Sequence, residues 1–191
     1  MNPTLILASA SPRRAELLRQ LGVCFHVHAV DIDETPHRDE SPLAYVQRLA
    51  AEKSAACATQ RGLTVPILAA DTTVVLGSTI LGKPQDQADA VSMLRLLSGK
   101  THQVFTALSL RGQAYHEAVS VTEVSFKSLS EQEIHAYWQS GEPLDKAGSY
   151  AIQGQGGLFV RTINGSFSGV VGLPLFETGQ LLVQQGIDIL K

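Results

Sequence analysis

The sequence predicts one α/β domain in which a mixed sheet is flanked by helices. Apolar segments typical of strands alternate with amphipathic segments that carry helix start and stop signals, the pattern of parallel strands joined by helices. Strand-like segments joined by short turns interrupt this alternation in the middle of the chain and indicate antiparallel hairpins. No repeat, low-complexity tract or linker divides the 191 residues, so we expect a single domain over 1–191.

The N-terminal part alternates strands and helices. Leu5–Ser9 is apolar and predicts the first strand. A helix is expected over Pro12–Leu21, because the serine and proline at its start and the Gly22 that follows it are typical helix boundaries. The pattern continues with a strand at Phe25–Val30, a helix from Ser41 and Pro42 to about Gln60, a buried strand at Ile67–Asp71, and a segment, Thr72–Leu76, that turns at Gly77–Ser78 into a hairpin.

The C-terminal part mixes capped helices with hairpins. Asp86 suits the N-cap of one helix, and Ser130 with Glu133 forms a capping box for another. Asn164–Gly165 is typical of a two-residue hairpin turn. The expected elements are a helix from Asp86 to Leu97, strands at Gln103–Leu110 and Ala114–Lys127, a helix reaching Ser140, a strand at Leu158–Ile163, a short strand after the Asn164–Gly165 turn, and a helix from about Leu175.

Composition excludes several classes of protein. Hydrophobic residues make up 44% and charged residues 17% of the chain, which is typical of a globular protein and not of a disordered one. The net charge of −3 and the pI near 6.0 argue against a nucleic-acid binder, which normally carries a basic surplus. The apolar run Leu5–Ala8 is too short for a signal peptide or a membrane span, so we expect no membrane partner. Two cysteines cannot form a disulfide framework, which favours a reducing compartment, the cytoplasm.

Two arginines lie in the first turn of the first predicted helix. Arg13 and Arg14 follow the segment Ser9–Pro12, at the end where the helix dipole disfavours cations by about 0.3–1 kcal/mol each. Arg14 also aligns at helical spacing with the leucines of the apolar face. Because a helix N-terminus binds anions, a phosphate ligand would compensate both arginines. The alternative is an ordinary solvated helix start.

One lysine lies on the apolar face of the second predicted helix. Lys53 is separated from Leu49 and Val46 by four and seven residues, so all three share one face. Such a lysine either extends along the surface to reach water or points at a bound anion, and the sequence leaves both open. The neighbouring Glu52 pairs with Arg48 at i−4, which indicates an ordinary surface ion pair.

Carboxylates follow two of the predicted strands. Asp71 closes the apolar strand Ile67–Asp71, and ligands gather at the carboxyl ends of strands in open α/β sheets. Asp71 is therefore a candidate metal ligand or general base. The acidic segment Asp31–Glu34 offers oxygen ligands that suit Mg²⁺, although acidic loops are commonly just solvated. Lys83 lies in the stiff turn Gly82–Pro84.

The stretch Asp145–Gly154 is expected to pass from a loop into a strand. Its glycines allow the backbone to approach another group closely, and Gln153 supplies a hydrogen-bond donor and an acceptor together. The run Gly154–Gly157 has the wrong spacing for a dinucleotide-binding fingerprint and does not precede a helix. We therefore expect no dinucleotide site here.

Eight short motifs along the chain resemble those of one protein family, the Maf family of nucleotide pyrophosphatases. They follow the family's order and cover nearly the whole sequence, and together they are far more specific than any one alone. The matching segments are Ser9–Arg14, Asp33–Glu34, Glu52–Lys53, Ala69–Thr72, Gly82–Pro84, Leu97–His102, Asp145–Gly154 and Gly172–Pro174.

The resemblance implies an elongated, two-lobed Maf/ITPase-like fold with a central cleft, often dimeric, that hydrolyses a nucleoside triphosphate to the monophosphate and pyrophosphate. It implies that Asp71 is the catalytic base and that Glu34 and Asp71 hold a divalent metal cation, Mg²⁺ or alternatively Mn²⁺ or Co²⁺. The phosphate and metal site would be lined by Ser9, Arg14, Glu34, Lys53 and Lys83, with both lysines catalytic, and the base preference would be set by Arg13, Thr72 and Gln153. The Asp145–Gly154 pattern resembles the branch that acts on dTTP and UTP, in nucleotide-pool house-cleaning, rather than the branch that acts on 7-methyl-GTP.

Two other functions stay open at the level of the sequence. One is a nucleotide-binding regulator of cell division and septum formation that does not turn over its ligand. The other is an RNA-binding module that uses the same cleft, which the acidic pI disfavours. Release of pyrophosphate from dTTP in the presence of Mg²⁺ distinguishes an enzyme from either.

Overall fold

The sheet contains both parallel and antiparallel strands, as the sequence predicts. The structure, a computed structural model, describes residues 4–189. Its strands are β1 (Leu5–Leu7), β2 (Phe25–Val27), β3 (Ile67–Leu76), β4 (Thr79–Leu81), β5 (Thr101–Arg111), β6 (Tyr115–Phe126) and β7 (Val160–Asn164). They lie in the order β2-β1-β3-β5-β6-β7, with β4 beside β3. β1 runs parallel to β2 and β3, and the other neighbouring strands are antiparallel. The predicted mixed α/β class is therefore confirmed.

The described residues form six helices, four of which begin at the capping residues that the sequence indicates. They are α1 (Pro12–Gln20), α2 (Pro42–Arg61), α3 (Gln87–Leu97), α4 (Glu131–Gln139), α5 (Phe167–Val171) and α6 (Leu175–Gln184), and two 3₁₀ segments cover Ala147–Ser149 and Gln155–Phe159. The side chains of Ser11, Ser41 and Asp86 each accept a hydrogen bond from a backbone N–H in the first turn of α1, α2 and α3. The predicted capping box of Ser130 and Glu133 is also present at α4.

The prediction that a strand ends at Asp71 is wrong. β3 continues without interruption to Leu76, because it pairs with β5 in one register from Ile67 to Val75. The hairpin that follows at Gly77–Ser78 is confirmed by the antiparallel pairing of β4 with the last residues of β3. Asp71 consequently lies in the middle of a long strand, where β5 pairs with the residues before and after it.

The predicted hairpin at Asn164–Gly165 is also wrong, since α5 follows it instead of a strand. The Ser166 hydroxyl accepts a hydrogen bond from the Gly169 N–H and caps this short helix. The Ser166 N–H donates to Thr122 Oγ1 on β6, which fixes the position of the cap. Upstream, the 3₁₀ segment Gln155–Phe159 replaces the start of the expected strand, so β7 begins only at Val160, and the strand expected near Gly154 does not form.

The interior contains two large apolar clusters. One is built largely from β1, α1 and α6, and the other largely from α3, α4 and the adjoining parts of β3, β5 and β6. Ile152 packs against both clusters, so the segment after Asp145 lies where they meet. The division of the domain into two lobes stays a prediction. None of the helices within residues 4–189 combines the length and the apolar character that crossing a bilayer requires.

Candidate active site

A cavity of about 690 Å³ opens beside the middle of β3. This volume is in the range of sites for small molecules and cofactors. The cavity wall includes every residue that the sequence analysis proposes for the site, although they come from widely separated segments of the chain: Ser9, Arg13, Arg14, Glu34, Lys53, Asp71, Thr72, Lys83 and Gln153.

An unpaired stretch on one edge of β3 explains how neighbouring residues reach the same cavity. On this edge β3 pairs with β1 only at its first two residues and with β4 only from Val74 onward. Within residues 4–189, the segment 69–73 has no strand partner on that side. Successive side chains of a strand point to opposite faces, so Asp71 contacts Lys53 of α2 while Thr72 contacts Arg14 of α1. The open edge gives one ligand access to both faces.

The Lys53 ammonium links two carboxylates in the cavity wall. Its Nζ lies 2.6 Å from Glu34 Oε1 and 2.7 Å from Asp71 Oδ1, and only 12% of the side chain is exposed. Lys83 lies 3.4 Å from the other oxygen of Glu34 and is 59% exposed. Burial by itself would raise the pKa of Glu34, but its contacts with Lys53 and Lys83 lower that pKa overall. Lys53 therefore does not extend to water, and its charge is directed into the cavity.

Arg14 connects three segments of the cavity wall. Its Nε donates to the Gly172 carbonyl at 2.8 Å, and its terminal nitrogens donate to Thr72 Oγ1 at 3.1 Å and to Ser9 Oγ at 3.3 Å. Burial lowers the pKa of Arg14, while the nearby charge of Asp71 opposes that shift. An arginine stays protonated at neutral pH in spite of such a shift, so Arg14 presents a fixed positive charge.

Arg13 is the less restrained of the two arginines. Burial lowers its pKa and the charge of Asp145 opposes the shift. Within the described chain its guanidinium makes no hydrogen bond or ion pair, whereas that of Arg14 makes three hydrogen bonds. The Arg13 side chain is therefore available to contact a ligand in the cavity.

One part of the cavity wall is apolar. It is formed by Val74, Val104, Tyr150, Ile152 and Val170, which belong to or pack against one apolar cluster. Tyr150 is backed by His102, whose Nε2 lies 2.9 Å from the Tyr150 hydroxyl. His102 is 1% exposed, and burial lowers its pKa to about 4, so it is neutral at physiological pH. Gln153 lies beside this wall with an exposed side chain.

Comparison with known proteins identifies the family. The sequence profile described as Maf, Maf-like protein, matches residues 4–185, which is nearly the whole chain. This chain belongs to the Maf family.

The relatives of this Maf-family chain include several that carry the name dTTP/UTP pyrophosphatase. The one from Myxococcus xanthus (strain DK1622) is 54% identical over 185 residues, 97% of this chain and 94% of that protein. The one from Salmonella typhimurium (strain LT2) is 55% identical over 94% of this chain and 91% of that protein. Among solved structures, the Staphylococcus aureus Ham1 protein gives a TM-score of 0.44 at 17% identity, over 64% of this chain and 70% of that chain, which is too distant to support a conclusion.

Two residues that hold Glu34 in the cavity cannot be recognised from the sequence. The Tyr45 hydroxyl donates to the Glu34 carbonyl at 2.9 Å. Arg48 donates to the Thr35 carbonyl at 3.1 Å and pairs with Glu40 at 2.7 Å, besides contacting Glu52. The pairing of Arg48 with Glu52 at i+4 suggested an ordinary surface residue, yet 17% of the Arg48 side chain is exposed. Only the tertiary contacts show that both residues attach the loop around Glu34 to α2.

Proposed function

We propose that this protein is a nucleoside triphosphate pyrophosphatase that hydrolyses dTTP and UTP to the monophosphate and pyrophosphate. The observation that carries the proposal is the composition of one cavity. Cationic side chains lie beside two adjacent carboxylates in its wall, and a cluster of apolar side chains forms another part of that wall. A triphosphate and a nucleobase require these two environments. The names of relatives more than 50% identical over nearly the whole chain support the same substrates.

The two carboxylates fit a divalent cation. Oxygens of Glu34 and Asp71 converge on a single point, since both contact the Lys53 nitrogen within 2.7 Å. Mg²⁺ commonly takes one or two protein carboxylates and completes its shell with water and phosphate oxygens. Within residues 4–189 no group of three or more His, Cys, Asp and Glu side chains is positioned to hold a metal ion. When bound, Mg²⁺, Mn²⁺ or Co²⁺ would neutralise charge on the phosphate oxygens.

The contacts of Asp71 support its proposed role as the general base. Its Oδ1 contacts Lys53, which leaves the second oxygen to accept a proton. In the proposed reaction a water oxygen attacks the α-phosphorus while Asp71 takes a proton from that water. The bond between the α-phosphorus and the bridging oxygen breaks, and pyrophosphate leaves with that oxygen. The cations of Arg14, Lys53 and Lys83 would hold the phosphates in line for this attack.

Base recognition is assigned to the polar groups beside the apolar wall. Thymine and uracil present an N3–H donor between two carbonyl acceptors, and the carboxamide of Gln153 can accept and donate to adjacent groups. Arg13 and Thr72 lie in the same cavity and would complete the contacts to the nucleoside. The apolar residues offer a surface against which the ring can pack.

The test is a direct assay of products. The purified protein is incubated with dTTP, UTP, CTP, ATP and GTP in Mg²⁺, and monophosphate and pyrophosphate are quantified, with EDTA as a control. We expect pyrophosphate from dTTP and UTP at a kcat/KM roughly 5–150-fold above that for the other three, the range that one bidentate base contact supplies in DNA recognition. Binding of dTTP without turnover would instead support a regulator, and release of orthophosphate alone would exclude a pyrophosphatase.

The same proposal includes a cytoplasmic location and a homodimer. The location rests on the low cysteine content, and the homodimer rests on the family resemblance alone. Sedimentation of the purified protein measures the second directly.

A further inference from the structure

The loop that carries Gln153, residues 151–156, is held in place by hydrogen bonds to a tyrosine and a glutamate that lie outside the cavity. Tyr137 lies on α4 and is 3% exposed, and its ring packs edge-on against Phe159 at 4.9 Å. Its hydroxyl donates to Glu142 Oε1 at 2.8 Å and accepts a hydrogen bond from the Ala151 N–H at 3.0 Å. Neither Tyr137 nor Glu142 lines the cavity, so each can influence a ligand there only through the loop.

Glu142 holds the loop on the other side of Gln153. One carboxylate oxygen accepts from the Gln155 N–H at 2.9 Å, and the other accepts from the Gly156 N–H at 2.9 Å. Burial by itself would raise the pKa of Glu142, but the two N–H donors and the Tyr137 hydroxyl lower that pKa overall. Glu142 is therefore an ionised acceptor at neutral pH. Together with Tyr137 it fixes the backbone both before and after Gln153.

Two glycines allow the backbone to come this close. A Cβ at Gly154 would overlap the carboxylate of Glu142, and a Cβ at Gly156 would lie 2.6 Å from the Tyr137 hydroxyl. Real Cβ atoms do not approach heavy atoms so closely, so a side chain at Gly154 would displace the Glu142 carboxylate from the loop, and one at Gly156 would also meet the Ala151 carbonyl oxygen at 2.8 Å. The glycine run that does not fit a dinucleotide fingerprint thus has a structural reason. It lets the loop wrap around the Tyr137–Glu142 pair.

Gln153 depends on this backbone for its position. Its side chain is exposed, and within residues 4–189 it makes no hydrogen bond to another group of the protein. A carboxamide distinguishes uracil from cytosine only if its oxygen and nitrogen meet the correct edge of the base, because the reversed amide pairs with cytosine. A site must be held within about 0.5 Å of its working geometry to keep such a preference.

We propose that Tyr137 and Glu142 are positioning residues that give the site its preference for uracil and thymine over cytosine, by fixing the backbone on both sides of Gln153. This inference rests on the proposed function, since it presumes a base-selective triphosphatase. The pair acts on base discrimination and not on the phosphate chemistry, because the hydrogen bonds of the two side chains go to each other and to the loop backbone and do not reach Lys53 or Asp71.

The test compares base preference in three variants and a matched control. Tyr137→Phe removes the hydroxyl and keeps the ring, and Glu142→Gln keeps the size but replaces one acceptor by a donor that opposes a backbone N–H. Gly154→Ala changes neither side chain but pushes the Glu142 carboxylate away from the backbone N–H groups that it accepts from. Tyr115→Phe is the control, because the Tyr115 hydroxyl also donates to a glutamate, Glu117, away from the cavity.

The measured quantity is the ratio of kcat/KM for UTP to that for CTP. We expect this ratio to fall at least fivefold in the three loop variants, mainly through a higher KM for UTP, and to stay at the wild-type value in Tyr115→Phe. Circular dichroism and melting temperature identify any variant that does not fold, in which case the remaining loop variants decide.

Three results distinguish a failure of the proposed function from a failure of the positioning role. A wild-type protein that does not hydrolyse UTP, or does not prefer it to CTP, contradicts the proposed function itself. A wild-type preference that survives unchanged in folded loop variants overturns the positioning role and leaves the proposed function standing. An equal loss of kcat/KM for UTP and CTP in the loop variants also overturns it, because it would indicate a general structural role.

Discussion

Replacing Lys53 by Met should destabilise the protein. It should also increase the rise in melting temperature that Mg²⁺ produces. Lys53 lies between Glu34 and Asp71 with contacts of 2.6 and 2.7 Å, and its removal leaves two neighbouring carboxylates without a counter-charge. Breaking a fully buried ion pair costs about 3–5 kcal/mol, whereas an exposed one contributes about 0–1 kcal/mol. The side chain of Asp71 is 10% exposed and that of Glu34 is 39% exposed, so these ion pairs are intermediate between buried and exposed ones. We therefore expect the free energy of unfolding to decrease by about 1–3 kcal/mol.

Thermal denaturation provides the assay. In a chain of this size 1 kcal/mol corresponds to about 2–4 °C, so the melting temperature of Lys53→Met should fall by about 2–12 °C at pH 7. Adding Mg²⁺ should raise it by more than in the wild type, because the cation no longer competes with an ammonium for the same oxygens. A double variant, Lys53→Met with Asp71→Asn, should recover part of the lost stability, since one of the two opposing charges is gone.

Lys83→Met is the matched control. Lys83 touches the same Glu34 but at 3.4 Å and with 59% of its side chain exposed, so its removal should change stability by no more than about 0.5 kcal/mol. If Lys53→Met melts at the wild-type temperature and Mg²⁺ shifts both proteins equally, the reasoning is refuted. The two short contacts would then contribute nothing to stability and would not compete with a cation.

Three further predictions address catalysis, base choice and pH. Asp71→Asn should lower kcat for dTTP by about 10²–10⁴-fold with the fold intact by circular dichroism, and near-normal turnover would exclude the base assignment. Gln153→Glu replaces a donor by a second acceptor, so the kcat/KM ratio of UTP to CTP should fall towards one, whereas an unchanged ratio would mean that the base is read elsewhere. In the folded protein burial lowers the pKa of His102 to about 4, below the ordinary value near 6.5. Between these two pH values the unfolded chain binds a proton at His102 and the folded chain does not. The free energy of unfolding therefore falls as the pH drops from 6.5 towards 4. The free energy of unfolding of His102→Gln, measured by urea denaturation, should therefore fall by about 2 kcal/mol less than that of the wild type between pH 6.5 and 4.5, and equal decreases would contradict a neutral buried His102.

The sequence alone determines most of the helices, because local interactions fix where they begin, and it also marks two of the candidate site residues. Helix starts such as Ser11 and Ser130 depend on hydrogen bonds within a few residues, and these are visible in the order of residues. Arg14 and Lys53 stand out because a cation on an apolar helix face conflicts with its surroundings unless something compensates it. The structure shows that neighbouring protein groups meet part of that need: the hydroxyls and a carbonyl around Arg14, and the carboxylates around Lys53.

Only the tertiary structure decides where strands end and how the site is held together. β3 continues through Asp71 because β5 pairs with it along its length, and a helix replaces the expected hairpin after Gly165 because Thr122 of a distant strand fixes the cap. Tyr137 and Glu142 gave no signal in the sequence, since their partners are backbone N–H groups 13 or more residues away. Contacts between separate segments depend on how the elements pack, and local patterns of polarity and turn residues do not contain that information.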